Sequence, residues 1–139
     1  MELEQQTFSI LGYNAIINEA LLDLFPIDSH TQSSLLNSDN SIDTDLQKII
    51  QLSELVFLEL SDVIDSNLGI IEKLLNINPD LNIIGLNEYT QKSYSNRIIE
   101  LGGKGYLPIH CFPVEFQTAI ETVLKGGVFE SRFIQKFTA

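Results

Sequence analysis

Leu55-Val56-Phe57-Leu58-Glu59-Leu60 is an apolar run broken only by one carboxylate near its end. A strand with one wet face alternates apolar and polar residues. A strand buried on both faces reads as continuous, as in a parallel sheet covered by helices. The run therefore predicts a central parallel strand, and its neighbours should supply the covering helices. Downstream, Leu68, Ile71, Leu74 and Leu75 recur at helical spacing and stop near Pro79. Residues 81–86 follow as a strand, with β-branched Ile83 and Ile84 at its centre. Residues 90–101 form a weaker helix with Tyr94, Ile98 and Leu101 on its apolar side, closed by Gly102-Gly103. Residues 105–107 make a short strand. Pro113 then suits the first turn of a helix that carries Phe116, Ala119, Ile120, Val123 and Leu124 as far as Gly126-Gly127.

Upstream of the run, residues 43–52 predict a helix with Leu46, Ile49 and Ile50 facing inward. Residues 27–41 are rich in Ser, Asp and Asn, with a short strand over 33–36. Residues 7–11 read as the first strand. Asn14 stands where a helix N-cap belongs, and Ile16, Ile17, Ala20, Leu21, Leu24 and Phe25 form the stripe of a first helix that ends at Pro26. Strand and helix thus alternate with short links, which implies right-handed crossovers and a parallel sheet with both faces covered. The domain is expected over residues 1–127. Residues 128–139 lie beyond its last helix, and Phe129, Phe133, Ile134 and Phe137 make them a sticky tail, packed on the domain or a partner, or starting a linker.

The 139 residues fit one domain, and a hydrophobic fraction of 44% is enough for a real core. No stretch approaches the ~20 apolar residues that cross a bilayer. The N-terminus lacks the basic segment and apolar run of a signal peptide. A net charge of -11, with 8 basic residues against 19 acidic ones, works against binding DNA or an anionic membrane. The single cysteine, Cys111, has no internal partner, which suits a reducing cytoplasm.

Four pieces of the second half stand in a recognisable order. They are Pro79-Asp80-Leu81-Asn82-Ile83-Ile84-Gly85-Leu86, Gly102-Gly103-Lys104-Gly105-Tyr106-Leu107, Pro113-Val114-Glu115-Phe116 and Leu124-Lys125-Gly126-Gly127-Val128-Phe129. In order and spacing they resemble the receiver domains of NarL/LuxR-type bacterial response regulators. The likeness is good over residues 79–129, fair around 54–60 and 16–21, and poor over 26–45. It implies an α/β fold, a doubly wound five-stranded parallel sheet of the flavodoxin-like receiver type with strand order 2-1-3-4-5.

The resemblance also implies a chemistry. A working receiver moves a phosphoryl group to an aspartate at the end of its third strand. Mg²⁺, held by acids after the first strand, neutralises the phosphate oxygens. A Thr or Ser after the fourth strand and a Lys after the fifth hold the phosphoryl group. Set against that pattern, this sequence has Gly12 and Tyr13 at the acidic pair and Glu59 at the acceptor. Asn87 stands at the Thr/Ser position and Ile109 at the Lys position. Tyr106, the aromatic of the family's switch, keeps its identity. All five chemical positions are changed, so the resemblance implies a degenerate receiver with no catalysis, no cofactor and no metal. It would be the regulatory part of a transcription regulator that pairs with itself as a homodimer or with another signalling protein. Its contacts would be the fourth helix, fifth strand and fifth helix around Tyr94, Tyr106 and Phe116, or the first and fifth helices. DNA would be met only through a helix-turn-helix domain, which is not among these residues.

Other readings stay open beside this one. Glu59, one methylene longer than aspartate, could imitate a phosphorylated residue, or simply be a polar strand end. Asp62 and Asp65 could serve as substitute acceptors in a phosphorylatable receiver, as could Glu59, although such residues more often cap the next helix. Gly and Ile in place of polar groups could open a pocket for a small molecule on the same fold. Asp39, Asp43 and Asp45 suit a solvated loop and a helix start. His110 beside Cys111, with His30 far off, does not make a metal site. Gly102-Gly103-Lys104-Gly105 leads from helix into strand, the wrong direction for cradling phosphate.

Overall fold

A computed structural model describes residues 7–25, 30–60, 68–110 and 113–134. The strands are β1 (Thr7–Gly12), β2 (His30–Leu35), β3 (Leu55–Glu59), β4 (Asn82–Asn87), β5 (Gly105–Pro108) and β6 (Phe129–Glu130). Between them run α1 (Ala15–Leu22), α2 (Thr44–Leu52), α3 (Gly69–Ile77), α4 (Lys92–Glu100) and α5 (Pro113–Leu124). The strands form one sheet in the order β2-β1-β3-β4-β5-β6, and every neighbouring pair is parallel. The doubly wound parallel fold is as the sequence implies, with a sixth strand that it does not foretell.

All five residues of β3 are buried, because β3 has a strand on either side and helices on both faces. Val56 and Leu58 point into one core layer, with Leu46 and Ile50 of α2, Ile71 and Leu74 of α3, and Ile98 of α4. Leu55 and Phe57 point into the other, with Leu21 of α1 and Phe116, Ala119 and Ile120 of α5. Phe57 sits between two rings, Phe25 at 5.2 Å edge-on and Phe116 at 5.2 Å. Truncating so central an aromatic to alanine typically costs about 3–5 kcal/mol.

Asn14 caps α1 as expected, accepting from the N–H groups of Ile16 (2.9 Å) and Ile17 (3.1 Å). Asp43 does the same for α2, accepting from Leu46 N at 2.8 Å. The expected stripe of α1 is only partly realised. Ile16 is 81% exposed, whereas Asn18 is buried beside Leu21. The helix is two turns long, and its cap fixes which face turns inward. β2 starts at His30, earlier than the expected 33–36, and its polar sequence is tolerated because it pairs on one side only, with β1. At the other edge, β6 pairs with β5 and Ile134 is buried, so residues 128–134 extend the domain past its expected end at 127.

Candidate functional site

In a parallel sheet the strands all end on one rim, where loops converge and ligands bind. That rim carries Gly12, Tyr13, Glu59, Asn87 and Ile109. The fold gathers Gly12, Glu59, Asn87 and Ile109 and turns Tyr13 away. Gly12 pairs with Glu59 across β1 and β3, Glu59 with Leu86 on β4, and Asn87 with Pro108, one residue before Ile109.

Gly12 is filled from outside. A Cβ placed there would stand 2.5 Å from Asn18 Oδ1 and 2.9 Å from Glu59 Cβ. The first atom ends a side chain, but that side chain is buried and tied by Asn18 Nδ2 to Ser34 O at 3.1 Å. The second lies next to the backbone and cannot swing away. The position therefore excludes a carboxylate on steric grounds, beyond its simply being glycine. Asn18 Oδ1 is buried with no hydrogen-bond partner. Turning the amide over would set its oxygen against the Ser34 carbonyl, so the orphan acceptor is a consequence of the packing. Sequence reasoning missed Asn18. The signal was its place four residues after the cap Asn14, on the same side of the helix.

Tyr13 leaves the rim. Its hydroxyl donates to Asn40 Oδ1, and its ring packs against the core layer of α2 and α3. Asn40 takes a left-handed turn (φ 59°), and its carbonyl accepts Lys73 Nζ at 2.9 Å. Burial pushes the Tyr13 phenol up to about 12. Glu59 has no exposed surface. Asn87, also buried, uses its whole amide internally. Its Nδ2 donates to Leu60 O (3.1 Å) and Tyr94 Oη (3.0 Å), and its Oδ1 accepts Glu88 N (2.7 Å). Ile109 contributes its backbone N–H to Asn87 O at 2.7 Å and an apolar, half-buried side chain.

These residues do not fit Mg²⁺. The ion takes octahedral oxygen ligands and keeps several waters. Position 12 has no room for a carboxylate, Tyr13 is turned towards Asn40 and lies half-buried against the α2 and α3 layer, and Glu59 has no surface beside which a hydrated ion could sit. Nor do they fit a phosphoryl group, since no cation stands at 109 and the Asn87 amide is already engaged. Among the described residues no group of three His, Cys, Asp or Glu side chains could hold a metal. Asp62, Asp65 and Cys111 lie outside the described residues.

The expected contact residues are corrected. Tyr106 is wholly buried, its hydroxyl donating to Tyr89 O at 2.7 Å. Tyr94 is buried between Tyr89 (5.0 Å) and Tyr106 (5.3 Å), each pair edge to face. Phe116 is buried on Phe57. Phe116 is covered by the sheet under α5, and Tyr94 and Tyr106 share the opposite core layer with Ile134 of the segment after α5.

The architecture has clear counterparts. The isolated receiver domain of RcsB from Salmonella enterica serovar Typhimurium, solved with the phosphomimetic BeF3-, superposes with a TM-score of 0.73 at 14% identity, covering 94% of this chain and 96% of that one. This chain has the receiver fold. A LuxR-family two-component response regulator from Aurantimonas sp. gives 0.72 at 14% identity, over 94% and 93%. RcsB in a structure of two dimers bound to two parallel DNAs gives 0.75 at 14%, with 94% of this chain covering 66% of that protein. No protein-family model matches the sequence, and no curated protein matches it significantly. At these identities the likeness establishes the receiver fold and not the activity. Among the described residues no helix is long and apolar enough to cross a membrane.

Proposed function

We infer that this receiver fold is a signalling module that acts through protein contacts and carries out no aspartyl phosphotransfer. The observation that supports this most strongly is position 12, where even a methyl group would collide with Asn18 and Glu59. A rim that cannot take the acid has little to hold the divalent ion, and without it the phosphoryl oxygens have no counter-charge. The neighbouring structures include dimers of the response regulator RcsB bound to DNA. By analogy the chain is the regulatory part of such a regulator, pairing with itself or another signalling protein in the cytoplasm. DNA contact then falls to a different domain, as a net charge of -11 favours.

The test is incubation of the protein with a small phospho-donor and Mg²⁺, read by intact mass and peptide mapping. The expected result is no phosphoryl adduct, and no rise in melting temperature with BeF3- and Mg²⁺. A ligand at 100 times its dissociation constant would add about 2.7 kcal/mol, so binding would not be missed. An adduct on Glu59, Asp62 or Asp65 would overturn the reading.

A further inference from the structure

The two ends of the sheet differ. At one end the chain's own β6 lies along β5. At the other, β2 pairs with β1 alone over six residues, and no described residue pairs with its outer side. Leu36 N donates to Gly12 O at 2.8 Å, which sets the phase of the β1–β2 ladder. Alternate residues of a parallel strand bond to the same neighbour, so Ser33 and Leu35 turn their N–H and C=O groups outward. Sheets commonly protect such an edge with Lys, Pro or a bulge. Thr31 to Leu35 hold no charged residue and no proline.

Beside this edge a cavity of about 200 Å³ opens between β2 and α2. Ser34 and Leu35 line its strand side, and Leu35 is 55% exposed. Leu46 and half-buried Ile49 give it an apolar floor, and exposed Asp43 and Asp45 stand at its mouth. Asp43 accepts Leu46 N as the cap of α2, and among the described residues neither carboxylate is in an ion pair. Little positive charge is at hand to balance them. Lys48 and Lys73 are the only Lys or Arg residues before Glu88, and Lys73 is spent on Asn40 O at 2.9 Å.

We propose that the open edge of β2 and this cavity form a docking site for an extended, basic segment of a partner protein. The segment adds as a further strand, its main chain meeting the outward groups of Ser33 and Leu35. An apolar side chain fills the cavity. Lys or Arg residues two positions away fall on the same face of the added strand and meet Asp43 and Asp45. Main-chain pairing supplies affinity in such a mode, and the cavity and the charges supply selectivity. The same carboxylates repel a nucleic acid. The site rests on the reading of this chain as a protein-contact module and deepens it, by naming the surface and the chemistry of the partner.

The probe is the peptide fluorescein-Thr-Lys-Thr-Leu-Thr-Lys-Thr-amide, whose two Lys and one Leu share a face when extended. With the full chain, fluorescence anisotropy should give a dissociation constant below about 1 mM. Amide NMR shifts should move at residues 31–37 and 43–49. Changing both peptide Lys to Glu should weaken binding about tenfold, the scale of two solvent-exposed charge pairs. Combining Asp43→Asn with Asp45→Asn in the protein should do the same, and α2 keeps its cap because Asn serves there as well as Asp. Methylating every peptide amide nitrogen should abolish binding, because the peptide then cannot pair with the edge.

No binding at 1 mM, equal binding by the Glu or methylated peptide or by the Asn variant, or shifts confined to another surface would each overturn the proposal. Shifts at residues 31–37 that grow with protein concentration in the absence of peptide would also overturn it, by giving the edge to a second copy. A phosphoryl adduct in the earlier test would sink the loss of phosphotransfer and leave the peptide result untouched. A silent peptide would remove this site and leave the rim as it stands.

Discussion

The two halves of the strand-end rim are closed by different physics. At β1 and β3 closure is steric, with Gly12 overrun by Asn18 and Glu59. At β4 and β5 closure is by hydrogen bonds, with the Asn87 amide spent on Leu60, Tyr94 and Glu88, and Ile109 tied through its backbone. A steric closure resists repair by any one substitution, whereas a hydrogen-bonded closure can be opened by removing one group. On the proposed reading the receiver fold keeps its architecture while the strand-end space goes to packing on one side and to polar contacts on the other.

The sharpest way to break this comparison is Gly12→Asp, which restores an acid where a working receiver has one. Its Cβ lands 2.5 Å from Asn18 Oδ1 and its carboxylate enters a site already holding the buried Glu59. Overpacking and an added buried charge should together cost about 4 kcal/mol. Chemical denaturation should show this loss equally with and without Mg²⁺. Stabilisation of the variant by Mg²⁺ would mean the steric half can still accept the ion.

The hydrogen-bonded half should be more forgiving. Asn87→Leu keeps the volume but leaves Leu60 O without its amide donor and removes the Asn87 bond to Tyr94 Oη, at about 2 kcal/mol. Tyr106→Phe removes only the hydroxyl that reaches Tyr89 O and should cost about 1 kcal/mol. Equal or larger losses at these positions than at Gly12 would reverse the comparison.

How much of this could be read in the sequence differs between the halves in the same way. The core strand β3 announces itself, because burial on both faces leaves a continuous apolar run. The changed residues of the rim are visible too, since each departs from a known pattern. What the string does not carry is rotation and closure. Hydrophobic spacing turned Ile16 inward, but the Asn14 cap sets the phase of a two-turn helix and turns Asn18 in. Tyr94, Tyr106 and Phe116 stand around the contact face that the resemblance implies, yet all three are buried, and the segment held by Glu130, Glu115 and Ile134 packs on the side of Tyr94 and Tyr106. Those contacts reach back across 16 or more residues, a distance at which sequence periodicity is silent.

Tyr13 offers the gentlest probe, because it belongs to neither closure. It has left the rim for the core side, and its phenol is pushed up to about 12 by burial from an ordinary value of 10.0. In the folded protein the neutral form is favoured, so the unfolded chain gives up this proton first. The contribution to stability is intact below pH 10 and is lost as pH rises from there towards 12. Tyr13→Phe cannot ionise, so its stability should fall less steeply over that window, although it also loses the Asn40 contact and starts lower. Denaturation midpoints of both proteins on either side of pH 10, with tyrosinate absorbance followed in parallel, would check this. Parallel pH profiles would mean that the Tyr13 hydroxyl faces water, and that the acidic-pair position still opens onto the rim.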